Sequence, residues 1–143
     1  VMEQKKVLPF NVIGIGIVLN NSNEVLIAKR LDKGLLGGMW EFPGGKQQEG
    51  ENIESTIARE IREELDIKVA IEKEILSLDH AYSHTRLHFL VHICRWLSGE
   101  PKPLASQQIR WVKPIELIDY PFPAANSKMI SALNKYLKKA SPI

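Results

Sequence analysis

The sequence is poor in cysteine, in net charge and in long apolar runs. Cys94 is its only cysteine, which excludes an internal disulfide and favours a reducing, cytoplasmic environment. A formal net charge of +2 is too small to indicate a stable nucleic-acid partner. No apolar run is long enough to cross a bilayer, and Pro9 and Asn11 interrupt the first apolar stretch. Neither a membrane partner nor a secretory segment is therefore expected.

The remaining composition is that of an ordinary globular protein. Hydrophobic residues make up 44% and charged residues 25% of the 143 residues, which is enough to bury a core. The sequence contains no internal repeats, low-complexity tracts or linkers. It therefore predicts one domain over residues 1–143, and we expect that domain to be a monomer.

A segment near the middle of the chain combines an apolar stripe with clustered acids. Apolar side chains recur every four residues, at Ile53, Ile57, Ile61 and Leu65. This spacing predicts an amphipathic helix over residues 52–65. Three carboxylates then fall on one helix face at spacings i, i+3 and i+4. They belong to Glu60, Glu63 and Glu64.

Like charges on one helix face repel each other unless a cation compensates them. Neighbouring basic residues such as Arg62 and Lys68 would suffice if the segment were an ordinary solvated surface. The apolar stripe favours a ligand site instead, as does the preceding turn at residues 42–46, whose glycines can present a backbone carbonyl or amide. Carboxylate oxygens suit a hard divalent cation, so we expect such an ion to bind here.

The rest of the sequence alternates between short predicted strands and turns. Strands are predicted at residues 13–19, 25–29, 39–42, 86–97 and 109–112, one or two more in 67–81, and a second helix over 125–139. Because strands and helices do not alternate regularly, the expected fold class is α/β (α+β), a mixed sheet with helices on its two faces.

Four histidines recur every four residues, at His80, His84, His88 and His92. A helix would align them as a metal-like ladder, but the neighbouring Tyr82 and Phe89 favour a strand. Along a strand, residues with this spacing lie about 13 Å apart. We therefore expect the histidines to share a sheet face that a helix or ligand covers, in preference to forming a zinc site.

The segment from residue 45 to residue 67 resembles the signature of the Nudix hydrolases. The pattern is Gly45, five residues, Glu51, seven residues, Arg59-Glu-Ile, one residue, Glu63-Glu64, two residues and Ile67. One departure is Asp66, where the family usually has a helix-ending glycine, and Asp tolerates the left-handed conformation. The resemblance implies a Nudix αβα sandwich, with a mixed β-sheet between helices.

The same resemblance implies roles for the acidic cluster in the hydrolysis of nucleoside diphosphate derivatives. The implied metal-ligand and base positions are Glu60, Glu63 and Glu64, with the Gly44 carbonyl as a further ligand and Glu51 and Arg59 as supporting residues. Many relatives add an acid from the loop before the strand that here contains Trp111, but residues 104–110 contain none. Either Glu60 or another helix residue is then the base, or activity is reduced.

Features outside the signature resemble the MutT branch, whose members sanitise oxidised guanine nucleotides. These features are the spacing of residues 29–30 from 40–46, the segment 120–126 and an aromatic at position 82. The implied substrate-binding residues are Arg30, Phe42, Tyr82, His84 and Asn126. A helix N-cap is an equal alternative to purine reading for Asn126. Core packing is an equal alternative to base stacking for Phe42.

The expected function is magnesium-dependent hydrolysis of 8-oxo-dGTP to 8-oxo-dGMP and pyrophosphate. Two alternatives stay open. Residues 36–45 and 83–87 also resemble the C-terminal domain of adenine DNA glycosylases, a module that recognises oxidised guanine without hydrolysis. A Nudix hydrolase of another nucleoside diphosphate derivative would carry the same signature.

Overall fold

A mixed seven-stranded β-sheet is the central layer of the computed structural model, which describes residues 8–140. The strands are β1 (Phe10–Leu19), β2 (Val25–Lys29), β3 (Trp40–Glu41), β4 (Gly44–Lys46), β5 (Lys68–Ala81), β6 (Arg86–Ser98) and β7 (Gln108–Val112). The helices are α1 (Ile53–Leu65), a 3₁₀ helix (Pro114–Asp119) and α2 (Asn126–Ala140). The main path of the sheet is β3-β2-β1-β6-β5, with β4 beside β1 and β7 beside β2.

The two α-helices cover opposite faces of this sheet. β1 and β6 pair in parallel along their length, and the other strand pairs in the described residues are antiparallel. Ile57 and Ile61 of α1 pack on the face that carries Val18. Met129 and Leu133 of α2 pack in the core of the other face. The predicted mixed sheet between helices is confirmed.

Most predicted elements are confirmed, and the exceptions have a common cause. Residues 67–81 form one strand, whose pairing with β6 is irregular between Ile71 and Leu76. The turn predicted at residues 42–46 is wrong in part, because Gly44–Lys46 forms β4 against β1. The 3₁₀ helix was not predicted. Pairing and packing by distant parts of the chain create these elements, and local sequence pattern does not contain that information.

Helix α1 packs directly on β1 at two strand residues that lack side chains. A Cβ on Gly14 would lie 2.8 Å from Ile57 Cγ1, and a Cβ on Gly16 would lie 2.7 Å from Ile61 Cδ1. Real Cβ atoms do not make such short contacts. The isoleucines of α1 therefore fill the space above the two glycines, and the helix is held directly over the sheet.

Both ends of α1 have defined caps. The Asn52 side chain accepts a 2.8 Å hydrogen bond from the Ser55 amide at the N-terminus. At the C-terminus, Asp66 is left-handed, with φ 56° and ψ 40°, and its N–H donates to the Arg62 carbonyl. Asp66 thus adopts the conformation predicted for it in place of glycine.

The expectation that the four histidines share a sheet face is wrong. His80 in β5 pairs directly with Leu87 in β6, so it lies on the opposite face from His88. His92 is buried within the fold, whereas His84 lies in the turn between the two strands. The periodicity of four therefore has no common structural basis.

Cys94 is buried on the α1 side of the sheet, as expected for a small apolar filler. Burial raises the pKa of its thiol to about 12. None of the helices within residues 8–140 combines the length and apolar character needed to cross a membrane.

Replacing Gly16 by Ala should destabilise the fold by about 1–3 kcal/mol, because the new Cβ overpacks the interface with α1. Urea unfolding measures this loss. The matched control is Gly16→Ala combined with Ile61→Val, which removes the crowding Cδ1 atom. The double variant should lose less stability than the sum of the two single variants, and strict additivity would contradict the packing argument.

Candidate active site

The acidic face of α1 lies against β4. Strand pairing places Gly44 opposite Ile15 and Gly45 opposite Gly14, beneath the helix. The Glu60 carboxylate rests against Gly45, where any Cβ would collide with it. Glu64 Oε2 accepts a 3.4 Å hydrogen bond from the Gly44 amide. Gly45 therefore makes room for Glu60, and the Gly44 amide positions Glu64.

Arg59 joins the predicted acids into one network. Its Nε and Nη2 atoms donate to the two Glu51 carboxylate oxygens at 2.6 and 3.0 Å, a bidentate pair. Its Nη1 atom donates to Glu60 at 2.9 Å and to Glu63 at 3.2 Å. Its Nη2 atom also donates to the Lys46 carbonyl at 3.1 Å, which ties the network to β4.

Glu51 is fixed by more than its ion pair. The Gln48 amide donates to Glu51 Oε1 at 2.9 Å, and the Thr56 hydroxyl donates to the same atom at 3.0 Å. These bonds, led by that from Arg59, lower the pKa of Glu51 to about 2, while the carboxylates raise the pKa of Arg59. Thr56 is fully buried. It was not predicted as a site residue, because one polar residue beside the apolar stripe is a weak signal of function.

The two acids that follow Glu60 in the signature have opposite environments. The Glu63 side chain is 59% exposed and reaches Arg59 at the surface. Burial raises the pKa of Glu64 to about 8, with the charges of Glu60 and Glu41 adding to the effect. Glu64 is thus the acid whose charge most needs a compensating cation.

The donor set suits a hard divalent cation, although the side chains are turned towards other partners. Such ions prefer oxygen ligands, and the glutamates of α1 and the backbone carbonyls of the two glycines in β4 can supply them. Within residues 8–140, no three acidic, histidine or cysteine side chains converge closely enough to hold an ion as they stand. The reason is local, because Arg59 holds Glu60 and Glu63 while Glu64 turns to the Gly44 amide.

A cavity of about 290 Å³ opens on the α2 side of the sheet. It contains all five residues predicted to bind substrate, namely Arg30, Phe42, Tyr82, His84 and Asn126. Its remaining walls are mostly apolar, from Ile13, Ile15, Leu35, Leu36, Leu87, Phe89, Pro123, Ala125 and Met129. A small, largely apolar cavity with a few polar groups suits a nucleobase.

The alternatives for Asn126 and Phe42 differ in outcome. Asn126 is the first residue of α2, and its Nδ2 atom contacts Met129 Sδ at 3.8 Å. Among residues 8–140, no backbone amide of α2 donates to its Oδ1 atom, so the described hydrogen bonds leave that oxygen available to a ligand. Phe42 is 2% exposed and stacks on Phe122 at 5.2 Å, which is core packing at the cavity wall.

The other two predicted substrate residues lie at the cavity's outer side. Tyr82 is half-buried and meets the His80 ring edge-on, with centroids 4.5 Å apart. His84 is exposed, and its Nδ1 atom lies 3.5 Å from Ser83 Oγ. Both belong to the β5–β6 turn, which folds over the cavity.

Three residues connect this cavity to the acidic face of α1. Arg30, Glu41 and Gly44 line it, and they also line a smaller cavity of about 200 Å³ that contains Glu64. Arg30 Nη1 donates to Glu41 Oε2 at 2.7 Å. Sequence reasoning missed Glu41, because a lone acid in a two-residue strand has no periodicity to reveal it.

Replacing Glu64 by Gln should stabilise the protein at high pH in the absence of divalent cations. In the folded protein the pKa of Glu64 is about 8, against an ordinary value of 4.5. The protonated carboxyl therefore contributes its full stability below pH 4.5, and that contribution is lost as the pH rises through 8. We expect the melting temperature of the variant to exceed that of the wild type at pH 9 by about 5 °C or more, because 1 kcal/mol is worth roughly 3 °C at this size.

The wild type and the Glu64→Gln variant should melt at similar temperatures at pH 4.5, as measured by circular dichroism with EDTA. Glu63→Gln is the matched control, since its exposed side chain should give a small difference at both pH values. An equal effect of Glu64→Gln at both pH values would contradict the buried-carboxylate argument.

Comparisons with known proteins agree with this geometry. A family model described as NUDIX domain matches residues 14–132. An 8-oxo-dGTP diphosphatase from Buchnera aphidicola (subsp. Schizaphis graminum) is 31% identical over 125 residues, covering 87% of this chain and 94% of that protein. A CTP pyrophosphohydrolase from Escherichia coli is 25% identical over 122 residues, covering 82% and 87%. A structure of a MutT protein from Methanosarcina mazei shares the fold, with a TM-score of 0.82, 19% identity and coverage of 92% and 97%. The chain therefore belongs to the Nudix hydrolase family.

Proposed function

We propose that this protein is a magnesium-dependent nucleoside triphosphate pyrophosphohydrolase whose substrate is 8-oxo-dGTP. The products are 8-oxo-dGMP and pyrophosphate, and the role is removal of an oxidised nucleotide from the cytoplasmic pool. The observation that carries the proposal is the shared wall of the two cavities. Arg30, Glu41 and Gly44 line both the base-sized cavity and the cavity of Glu64, so one nucleotide can reach both.

The acidic end supports phosphoanhydride hydrolysis. A divalent cation bound by Glu60, Glu63, Glu64 and the Gly44 carbonyl would polarise the phosphates and lower the pKa of an attacking water. Glu60, held between Arg59 and Gly45, is our candidate to accept the proton of that water. The water oxygen would bond to a phosphorus of the anhydride bond between the α- and β-phosphates. That anhydride bond would break, which gives the nucleoside monophosphate and pyrophosphate.

Arg59 and Glu51 support this chemistry without touching the phosphates. Their bidentate pair, at 2.6 and 3.0 Å, fixes the loop before α1 to the middle of the helix. Arg59 then presents its third nitrogen to Glu60 and Glu63. The supporting pair sets where these two acids stand before a cation draws them inward.

The other cavity supports recognition of a purine base. The Asn126 amide has both a donor and an acceptor, so it can pair with two neighbouring groups of one purine edge. Its Oδ1 atom accepts no backbone hydrogen bond from the described part of α2. Tyr82 and the edge of Phe42 border the same space and would contact the base faces.

We infer a monomer that binds nucleotides without a stable nucleic-acid partner. A related protein is named a CTP pyrophosphohydrolase, so a pyrimidine triphosphate is the main rival substrate. A non-hydrolytic module that recognises oxidised guanine is the rival from another class, and it would have no use for the Arg59 network.

Pyrophosphate release from a panel of 8-oxo-dGTP, dGTP, CTP and ATP with Mg²⁺ decides between these functions. We expect release from 8-oxo-dGTP in preference to the others. Glu63→Gln and Glu64→Gln should each reduce kcat by about 100-fold or more, because each removes a carboxylate from the cation site. Glu54→Gln, an exposed acid on the same helix, is the matched control and should keep the full rate.

A preference for CTP would show that the substrate is a pyrimidine triphosphate in place of 8-oxo-dGTP. Full rates in both Glu63→Gln and Glu64→Gln would reject the cation site. Binding of oxidised guanine without release from any nucleotide, with Mg²⁺ or Mn²⁺, would favour the recognition module.

Asn126→Ala should weaken discrimination between 8-oxo-dGTP and dGTP by about tenfold, since a paired amide is worth roughly 1–3 kcal/mol. The comparison is of kcat/KM for the two nucleotides. Asn134→Ala, at an exposed position on the same helix, should leave both values unchanged. An equal loss on every base would show that Asn126 acts on the fold rather than on the base.

A further inference from the structure

The loop that lacks an acid forms one wall of the Glu64 cavity. Ala105 and Ser106 border this cavity of about 200 Å³ together with Gly44 and Glu64. Neither wall residue can bind a cation as a carboxylate does. Residues 104–110 as a whole contain no acid, so this wall contributes no carboxylate to the cavity.

Glu41 is the other carboxylate that lines this cavity in the described chain. It reaches the cavity from β3, where it pairs with Ala28 of β2. Its Oε2 atom is held by Arg30 at 2.7 Å. Within residues 8–140, its Oε1 atom has no hydrogen-bond partner, and the side chain is 34% exposed. One oxygen of Glu41 is therefore positioned by an arginine while the other is free.

The charges around the cavity call for a cation. Glu41 and Glu64 are two carboxylates that line the same cavity, and like charges held close together repel each other. Arg30 is the one cationic side chain that lines the cavity in the described residues, and it is already paired with Glu41. When both carboxylates are ionised, the cavity keeps a net negative charge, which a divalent ion with oxygen ligands would balance.

We propose that Glu41 is a cation-facing carboxylate that supplies, from β3, the acid that residues 104–110 lack. This inference rests on the proposed function, because the cation is the one that hydrolysis would use. Glu41 binds the ion through its free oxygen on the side of the cavity that Glu64 faces. Arg30 fixes its other oxygen and extends from the ion to the base-sized cavity.

Titration with Mn²⁺ in the absence of nucleotide tests the assignment. Glu41→Gln should weaken Mn²⁺ binding by about tenfold or more, as loss of a donor carboxylate does, in isothermal titration calorimetry or electron paramagnetic resonance. Glu100→Gln, which changes an exposed acid in the loop that follows β6, is the matched control and should bind Mn²⁺ as the wild type does. Melting temperatures of the variants show that each is folded.

Arg30→Gln separates a cation-facing role from a positioning role. If Glu41 faces the ion, Arg30→Gln keeps or tightens Mn²⁺ binding, because it removes a competing positive charge, while it raises KM for the nucleotide. If Glu41 only holds Arg30, the two variants share one phenotype, a raised KM with unchanged Mn²⁺ affinity. That shared phenotype would overturn the assignment, as would a wild type that binds no Mn²⁺.

The outcomes distinguish this inference from the proposed function. A wild type that releases pyrophosphate, together with a Glu41→Gln variant of unchanged Mn²⁺ affinity, rejects Glu41 alone. A wild type that hydrolyses no nucleotide but loses Mn²⁺ affinity on Glu41→Gln rejects the enzymatic proposal and keeps the cation site.

Discussion

The close approach of α1 to the glycine-bearing strands is the constraint on which the site depends. Gly14 and Gly16 leave room for the isoleucines of the helix, and Gly45 leaves room for the Glu60 carboxylate. The same approach removes water from Glu64 and places it beside other acids. Apolar packing therefore provides the free energy that holds carboxylates together in an arrangement they would otherwise avoid.

Two arginine–glutamate pairs belong to the candidate active site. Arg59 binds Glu51 with two hydrogen bonds, and Arg30 binds Glu41 where both residues line the two cavities. Five carboxylates and two guanidinium groups thus share one region, at Glu41, Glu51, Glu60, Glu63, Glu64, Arg30 and Arg59. The excess of negative charge is the physical reason to expect a divalent cation beneath a polyphosphate.

Local pattern was sufficient for the parts of the structure that local interactions determine. The apolar stripe predicted α1. The resemblance to the Nudix signature, which has a helix-ending glycine where this chain has Asp66, predicted the left-handed end of that helix. β4 could not be predicted, because Gly44–Lys46 has little strand propensity and becomes a strand only against β1. Glu41 could not be predicted as a cavity residue, since its position follows from the pairing of β3 with β2. The even spacing of the histidines was misleading, because it places side chains on one face only along a single strand, and the four residues are divided between β5, a turn and β6.

The loop that contains Ala105 and Ser106, which line the Glu64 cavity, is attached to α1 by backbone hydrogen bonds. The Lys102 amide donates to the Leu65 carbonyl at 2.9 Å, and the Leu104 amide donates to the Glu64 carbonyl at 3.0 Å. Neither bond depends on which side chains follow in the loop. The position of this wall therefore depends little on the side chains of Ala105 and Ser106. A substitution at either residue would change the chemistry of the cavity while its frame stays in place.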